Sequence, residues 1–181
     1  ESTIAKYANP ELVKFAESLL EKVDEKDFVA GVVGQNVILE GMAFNVFEML
    51  HAANLQANPK FAQILSGTIA DERRHVGFGE NRIGALVRED PGCKPRIEQL
   101  QKEMSYYMLA TFGDQFRAGP SPDEIRDIMD NAGVERKAPE SDWHGVKMSE
   151  ATPEELESVL SDTILKEFKI RLERIGIEYQ T

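Results

Sequence analysis

The sequence has few features of secreted, membrane-spanning or nucleic-acid-binding proteins. Its 181 residues include one cysteine, Cys93, so no disulfide can form within the chain and we expect a reducing, cytoplasmic location. The net charge of -11 argues against a surface that binds phosphate backbones. No run reaches the roughly 18 uncharged apolar residues that a membrane span needs. We therefore expect neither a nucleic-acid partner nor a membrane.

Apolar residues recur with the 3.6-residue period of amphipathic helices along most of the chain. The pairs Asn9-Pro10 and Asn58-Pro59 are typical helix starts, with an N-cap residue before a proline at the first helical position. The predicted helices cover about 10–26, 28–55, 59–88, 94–116, 121–131 and 153–177.

The rest of the pattern contains no convincing strand. Residues 134–151, which include Trp143 and His144, are expected to form a loop or extended arm. The predicted fold is therefore all-α. Residues 1–118 are expected to form a helical core, and residues 119–181 a C-terminal helical extension packed on the same domain.

Glu40, Glu72 and His75 are candidate metal ligands. Glu72 and His75 are three residues apart and share one helix face, a spacing at which a carboxylate and an imidazole can bind one transition-metal ion. With the turn centred near residue 57, the three residues lie about 25, 23 and 27 Å from it, at 1.5 Å per residue. In an antiparallel helix pair they therefore meet at one level.

The surroundings of these residues are expected to be apolar and buried. An unpaired carboxylate in such surroundings is costly, and a metal ion removes that cost. Asp71 is predicted to accept the N–H of the ligating imidazole and fix its orientation. Phe44 and Phe47 are predicted to form the apolar wall of a substrate pocket.

A second Glu-x-x-His match, Glu48 and His51, shows how weak the short pattern is. This pair lies only about 13 and 9 Å from the turn, some 12 Å or more below Glu40. Two metals of one binuclear site are only about 3.5–4 Å apart. We therefore interpret Glu48 and His51 as a structural pair. His144 has no glutamate three residues before it.

A resemblance to a known family is carried by two segments, Leu39–Phe44 (LEGMAF) and Asp71–Gly79 (DERRHVGFG). Together they resemble the second helix pair of ferritin-like non-haem di-iron carboxylate proteins. The similarity is greatest to the oxidase and oxygenase branch related to the ribonucleotide reductase small subunit, and it covers about Asp27 to Arg88. The resemblance implies a ferritin-like bundle, or only its second helix pair with additional C-terminal helices.

The chain departs from this family in carrying only half of the ligand set. A complete site needs a second Glu and a second Glu-x-x-His. One expectation is that a first helix pair lies upstream of Glu1, which we favour because the chain does not begin with Met and has extra C-terminal helices. The other is a symmetric homodimer, with four carboxylates and two imidazoles in total. Encapsulated ferritins are similar to this second arrangement.

The resemblance implies a non-haem di-iron oxidoreductase that activates dioxygen to oxidise a small organic substrate. Its cofactor would be two iron ions, although manganese or a mixed manganese and iron pair also suits these ligands. One alternative is a ferroxidase or iron-storage protein with its site at a homodimer interface. A second alternative is a helical interaction module without metal.

Overall fold

The computed structural model describes residues 8–118, 131, 142–147 and 150–181, and side chains at 113–118 and 153 are outside this description. Within these residues, five helices and one short hairpin confirm the predicted all-α fold. The predicted helix at 121–131 lies outside the described residues, apart from position 131. The helices are α1 (Pro10–Asp24), α2 (Phe28–Asn54), α3 (Pro59–Glu89), α4 (Lys94–Ala118) and α5 (Pro153–Arg174).

The helix starts predicted from the sequence are built as expected. Asn9 Oδ1 accepts the backbone N–H of Glu11 at 2.8 Å, and Asn58 Oδ1 accepts that of Phe61 at 3.2 Å. Thr152 and Glu155 form a reciprocal capping box at the start of α5. These side chains satisfy backbone donors that have no partner within the helix.

Helix α2 is not uniform, because Val33–Leu39 is π-helical and lies between the α-helical segments Phe28–Val32 and Glu40–Asn54. The sequence did not predict this segment. A π-helix pairs each carbonyl with the N–H five residues later, and such segments are frequent at functional sites. The segment ends directly before Glu40, so it sets the direction of that side chain.

Helices α2 and α3 form an antiparallel pair. His51 Nε2 lies 3.0 Å from Ser66 Oγ near the turn, and His75 contacts Glu40 farther from it. Helices α4 and α5 pack against this pair, and their apolar residues join one core with those of α2. Fully buried members of this core include Ile38, Met42, Ile83, Ile97, Met104, Leu160, Ile164 and Phe168.

Much of the apolar stripe of α1 is exposed. Phe15 is buried, but Leu12, Leu20 and Val23 are exposed. The reason is that no described element covers this side of α1. By length and composition α2 could cross a membrane, yet 56% of its apolar window is buried inside the fold, as in a core helix.

A two-stranded hairpin, β1 (Asp142–Trp143) and β2 (Val146–Lys147), replaces part of the predicted loop. His144 and Gly145 at its turn have positive φ values of 47° and 82°, as a tight type I′ turn requires. Trp143 is buried in the core, so the hairpin is anchored to the helices. Two residues per strand are too few for an alternating sequence pattern.

Asp27 connects the start of α2 to α4. Its Oδ1 accepts the N–H of Ala30 at 3.1 Å, and its Oδ2 accepts a short hydrogen bond from Arg96. Burial raises the pKa of Asp27, but the Ala30 N–H and Arg96 together outweigh that effect and hold it below its ordinary value of 3.8.

Two replacements of Asp27 distinguish its contribution as a helix N-cap from the contribution of its negative charge. Asp27→Ala removes both and is expected to lower the free energy of unfolding by about 0.5–2 kcal/mol at pH 7. Asp27→Asn keeps the cap and should lose less. Because folding lowers this pKa, the charge stabilises the fold above the ordinary pKa, and its effect disappears as the pH falls through the folded value. Urea denaturation at pH 7 and at about pH 2 tests this. If wild type and Asp27→Asn still differed in free energy of unfolding at the acid pH, this explanation would be contradicted.

Candidate metal site

The structure brings the three predicted ligands together. His75 Nδ1 lies 3.4 Å from Glu40 Oε1 and 3.6 Å from Glu72 Oε2. One ligand atom from each residue lies within 4.8 Å of the other two, and no other such group of His, Cys, Asp or Glu occurs among the described residues. The common level expected from the helix rise is therefore what the fold shows.

These separations suit one metal ion. Ligand atoms about 2.1 Å from an ion, at tetrahedral to octahedral angles, are about 3.0–3.4 Å apart. The two distances from His75 Nδ1 are close to that range. The ligand atoms of the three residues, all within 4.8 Å of one another, are close enough for one ion to reach each of them after a small movement of the side chains.

Glu72 has an oxygen that the described protein does not satisfy. Its Oε2 is buried without a hydrogen-bond partner in this part of the chain, since the 3.6 Å separation from His75 Nδ1 is too long for a hydrogen bond. A buried carboxylate oxygen without a partner costs free energy, and a cation placed between Glu72 and His75 would offset this. The residues present therefore fit a metal ion.

Burial of the three residues is unequal. The side chains of Glu40 and Glu72 are 12% and 19% exposed, but that of His75 is 54% exposed. The expectation of apolar, buried surroundings is thus wrong for His75. No described element covers its side of the cluster, so the three side chains form a group with one open face.

Two amide side chains that the sequence did not single out hold Glu40. Asn36 Nδ2 donates to Glu40 Oε2 at 2.7 Å, and Gln35 Nε2 donates to Oε1 at 3.1 Å. Both amides belong to the π-helical segment. Asn36 is four residues before Glu40, so helical spacing could have revealed its contact. The contact of Gln35 could not be found in this way, because residues five apart are not expected to meet on an α-helix.

The predicted role of Asp71 stays a prediction. Its Oδ1 accepts a short hydrogen bond from Arg74, one turn later on α3, and its side chain is largely exposed. Asp71 therefore already has a partner other than His75.

The prediction that Phe44 and Phe47 form the wall of a substrate pocket stays a prediction. Phe44 is buried, and the guanidiniums of Arg73 and Arg171 lie 5.7 and 5.2 Å from the centre of its ring. Cation–π contacts of this kind hold the ring in place. Arg171 is itself buried, and this burial lowers the pKa of its guanidinium.

An apolar groove of about 520 Å³ lies beside the π-helical segment. Gln35 and Asn36, the amides that hold Glu40, form part of its wall. Lys26 and Asp27 lie at the groove, and apolar residues from three helices form the rest of its wall: Leu19, Val23, Phe28, Gly31, Val32 and Phe78. The sequence analysis did not find this groove, because the helical pattern of one segment does not show which surfaces its neighbours leave uncovered.

Glu48 and His51 do not form a unit. His51 Nε2 lies 3.0 Å from Ser66 Oγ, which is also 3.1 Å from the carbonyl oxygen of Ala62, so the partner of His51 is Ser66. Glu48 instead experiences the charges of Arg73, His144 and Arg171. Burial raises its pKa, and those three groups oppose the rise.

We expect Glu48→Gln to stabilise the protein slightly at pH 7. A pKa raised by folding means that the ionised form destabilises the fold, so the variant gains stability above the ordinary pKa and none below about pH 4. A gain of about 0.5 kcal/mol corresponds to about 1–2 °C in melting temperature for a chain of this size. Thermal unfolding at pH 7 and pH 3.5 checks this, with the exposed Glu173→Gln as a control. A lower melting temperature for Glu48→Gln at pH 7 would refute it.

The helical fold and its Glu40, Glu72 and His75 cluster can now be compared with known proteins. No protein-family model matches the chain, and no match is found among curated proteins or solved structures. The family resemblance therefore stays an expectation from the two sequence segments. What the structure adds is the convergence of the three side chains.

Proposed function

We propose that Glu40, Glu72 and His75 bind a first-row transition metal, and that this chain carries half of a di-iron site that activates dioxygen. The observation that carries this proposal is the approach of His75 Nδ1 to both carboxylates, together with the unsatisfied, buried Glu72 Oε2.

The ligand set balances the charge of one divalent ion. Glu40 and Glu72 supply two negative charges, and a neutral imidazole supplies the lone pair of Nδ1. Carboxylate and imidazole ligands suit iron or manganese, and the ferritin-like resemblance favours iron. When bound, a pair of such ions supplies the electrons that reduce dioxygen.

The open face beside His75 is where a second helix pair would complete the site. Three ligands are half of a two-metal carboxylate set, which needs a further Glu and Glu-x-x-His. A segment preceding Glu1 or a second copy of the chain could provide it. The molecular mass and metal content of the reconstituted protein distinguish these two arrangements. A second copy predicts a dimer with two ions per dimer, whereas a preceding segment predicts two ions in each longer chain.

The apolar groove is the observation that favours an organic substrate. It passes Gln35 and Asn36, so an apolar molecule bound there would lie beside Glu40. A substrate bound in this groove would be held by apolar side chains, away from bulk water.

Iron oxidation for storage or detoxification is the second candidate function. The exposure of His75 favours it, because ferrous ions could reach the ligands directly from solvent. A large, cage-like assembly with iron far above two ions per site would support storage. A small oligomer that oxidises an organic molecule would support the oxidase.

His75→Ala tests the proposed site. Loss of one of three ligands should weaken the binding of ferrous iron by more than about 100-fold. The reason is that loss of a residue that only hydrogen-bonds to a ligand already lowers metal affinity by about 10–100-fold. Iron content after anaerobic reconstitution and dioxygen consumption measure the effect. His51→Ala is the matched control, because His51 contacts Ser66 at the other end of α2.

Unchanged iron content and dioxygen consumption in folded His75→Ala would show that this site is wrong. Wild-type protein that takes up neither iron nor manganese would favour a helical interaction module without metal.

A further inference from the structure

The π-helical segment before Glu40 places two consecutive amides on one carboxylate. Asn36 is four residues before Glu40, and Gln35 is five. On an α-helix, neighbours three and four apart face each other. In the π-helical segment the Glu40 backbone N–H donates to the carbonyl of Gln35, five residues earlier. This register lets the Gln35 side chain reach the same carboxylate that Asn36 holds.

The two oxygens of Glu40 have different partners as a result. Asn36 donates to Oε2 at 2.7 Å. Oε1 receives the longer bond from Gln35, at 3.1 Å, and lies 3.4 Å from His75 Nδ1. The shorter bond therefore fixes Oε2 and turns Oε1 towards the imidazole.

Gly79 on α3 allows Asn36 to occupy this position. A Cβ built on Gly79 would lie 2.6 Å from the Cβ of Asn36 and 3.4 Å from its carbonyl carbon. Neither atom is the end of a flexible side chain, so any larger residue at position 79 would displace Asn36. Gly77, two residues earlier on the same helix, has no atom within 4 Å of such a Cβ.

We propose that Asn36 and Gln35 are positioning residues that present Glu40 Oε1 to the metal, and that Gly79 maintains them by close contact of α3 with the π-helical segment. This inference depends on the proposed metal site and extends it to residues that touch no metal. Partners of this kind reduce the reorganisation needed on metal binding, and their loss costs about 10–100-fold in affinity.

The matched pair Gly79→Ala and Gly77→Ala tests this on the 181-residue chain. Both changes raise helix propensity by a similar amount, about 1 kcal/mol. Only Gly79→Ala should displace Asn36. Titration with Mn²⁺, with free ion measured by electron paramagnetic resonance, should show about 10–100-fold weaker binding for Gly79→Ala and unchanged binding for Gly77→Ala.

Two further variants test the same role even if Gly79→Ala does not fold. Asn36→Leu removes the shorter hydrogen bond to Glu40 with little change in side-chain volume. Gln35→Leu removes the longer hydrogen bond to Glu40, at an exposed position. Asn36→Leu should weaken Mn²⁺ binding about 10-fold or more, and Gln35→Leu less. The spectrum of the bound Mn²⁺ should also change in Asn36→Leu, which a purely structural role would not produce.

Wild-type affinity and spectrum in folded Asn36→Leu and Gly79→Ala would overturn the positioning role while leaving the metal site intact. Absence of Mn²⁺ binding in the wild type, or binding that His75→Ala does not weaken, would overturn the metal site and this inference with it.

Discussion

The register of α2 against α3 is the constraint on which the candidate site depends. The contacts of His51 with Ser66 and of Glu40 with His75 belong to the same antiparallel alignment. A shift of one residue along either helix would move a side chain by about 1.5 Å and rotate it by about 100°. Glu40 would then face away from His75. The packing that forms the core therefore also determines whether a metal site exists.

Within that register, the two carboxylates are stabilised unequally. Glu40 accepts hydrogen bonds from two amides, whereas Glu72 keeps a buried oxygen without a partner. Two nearby negative charges also repel each other, and one imidazole can offset only part of this. A bound cation would satisfy Glu72 and relieve the repulsion. This argument for a bound cation rests on the side chains themselves and does not depend on the family resemblance.

The sequence predicted those features that depend on helical repeat and rise alone. The described helices begin and end within a few residues of their predicted bounds, and the common level of Glu40, Glu72 and His75 came from counting residues to the turn. The π-helical segment could not be predicted in this way. It depends on close packing between helices, such as that of Gly79 against Asn36, which no single segment encodes.

Side-chain partners and exposure were also beyond the sequence pattern. Arg73 and Arg171 over Phe44, and Arg74 beside Asp71, result from rotamers that periodicity does not determine. His75 is half-exposed because coverage of a helix face depends on what packs there, and here no described element does. The apolar residues around the groove, Val23, Phe28 and Phe78, are left uncovered in the same way.

Anomalous diffraction at the iron absorption edge, from crystals of the protein reconstituted without oxygen, tests the central claim most directly. The account predicts an iron peak about 2.0–2.2 Å from a carboxylate oxygen of Glu40, one of Glu72 and Nδ1 of His75. A well-ordered cluster without an iron peak, or iron bound only elsewhere, would contradict it.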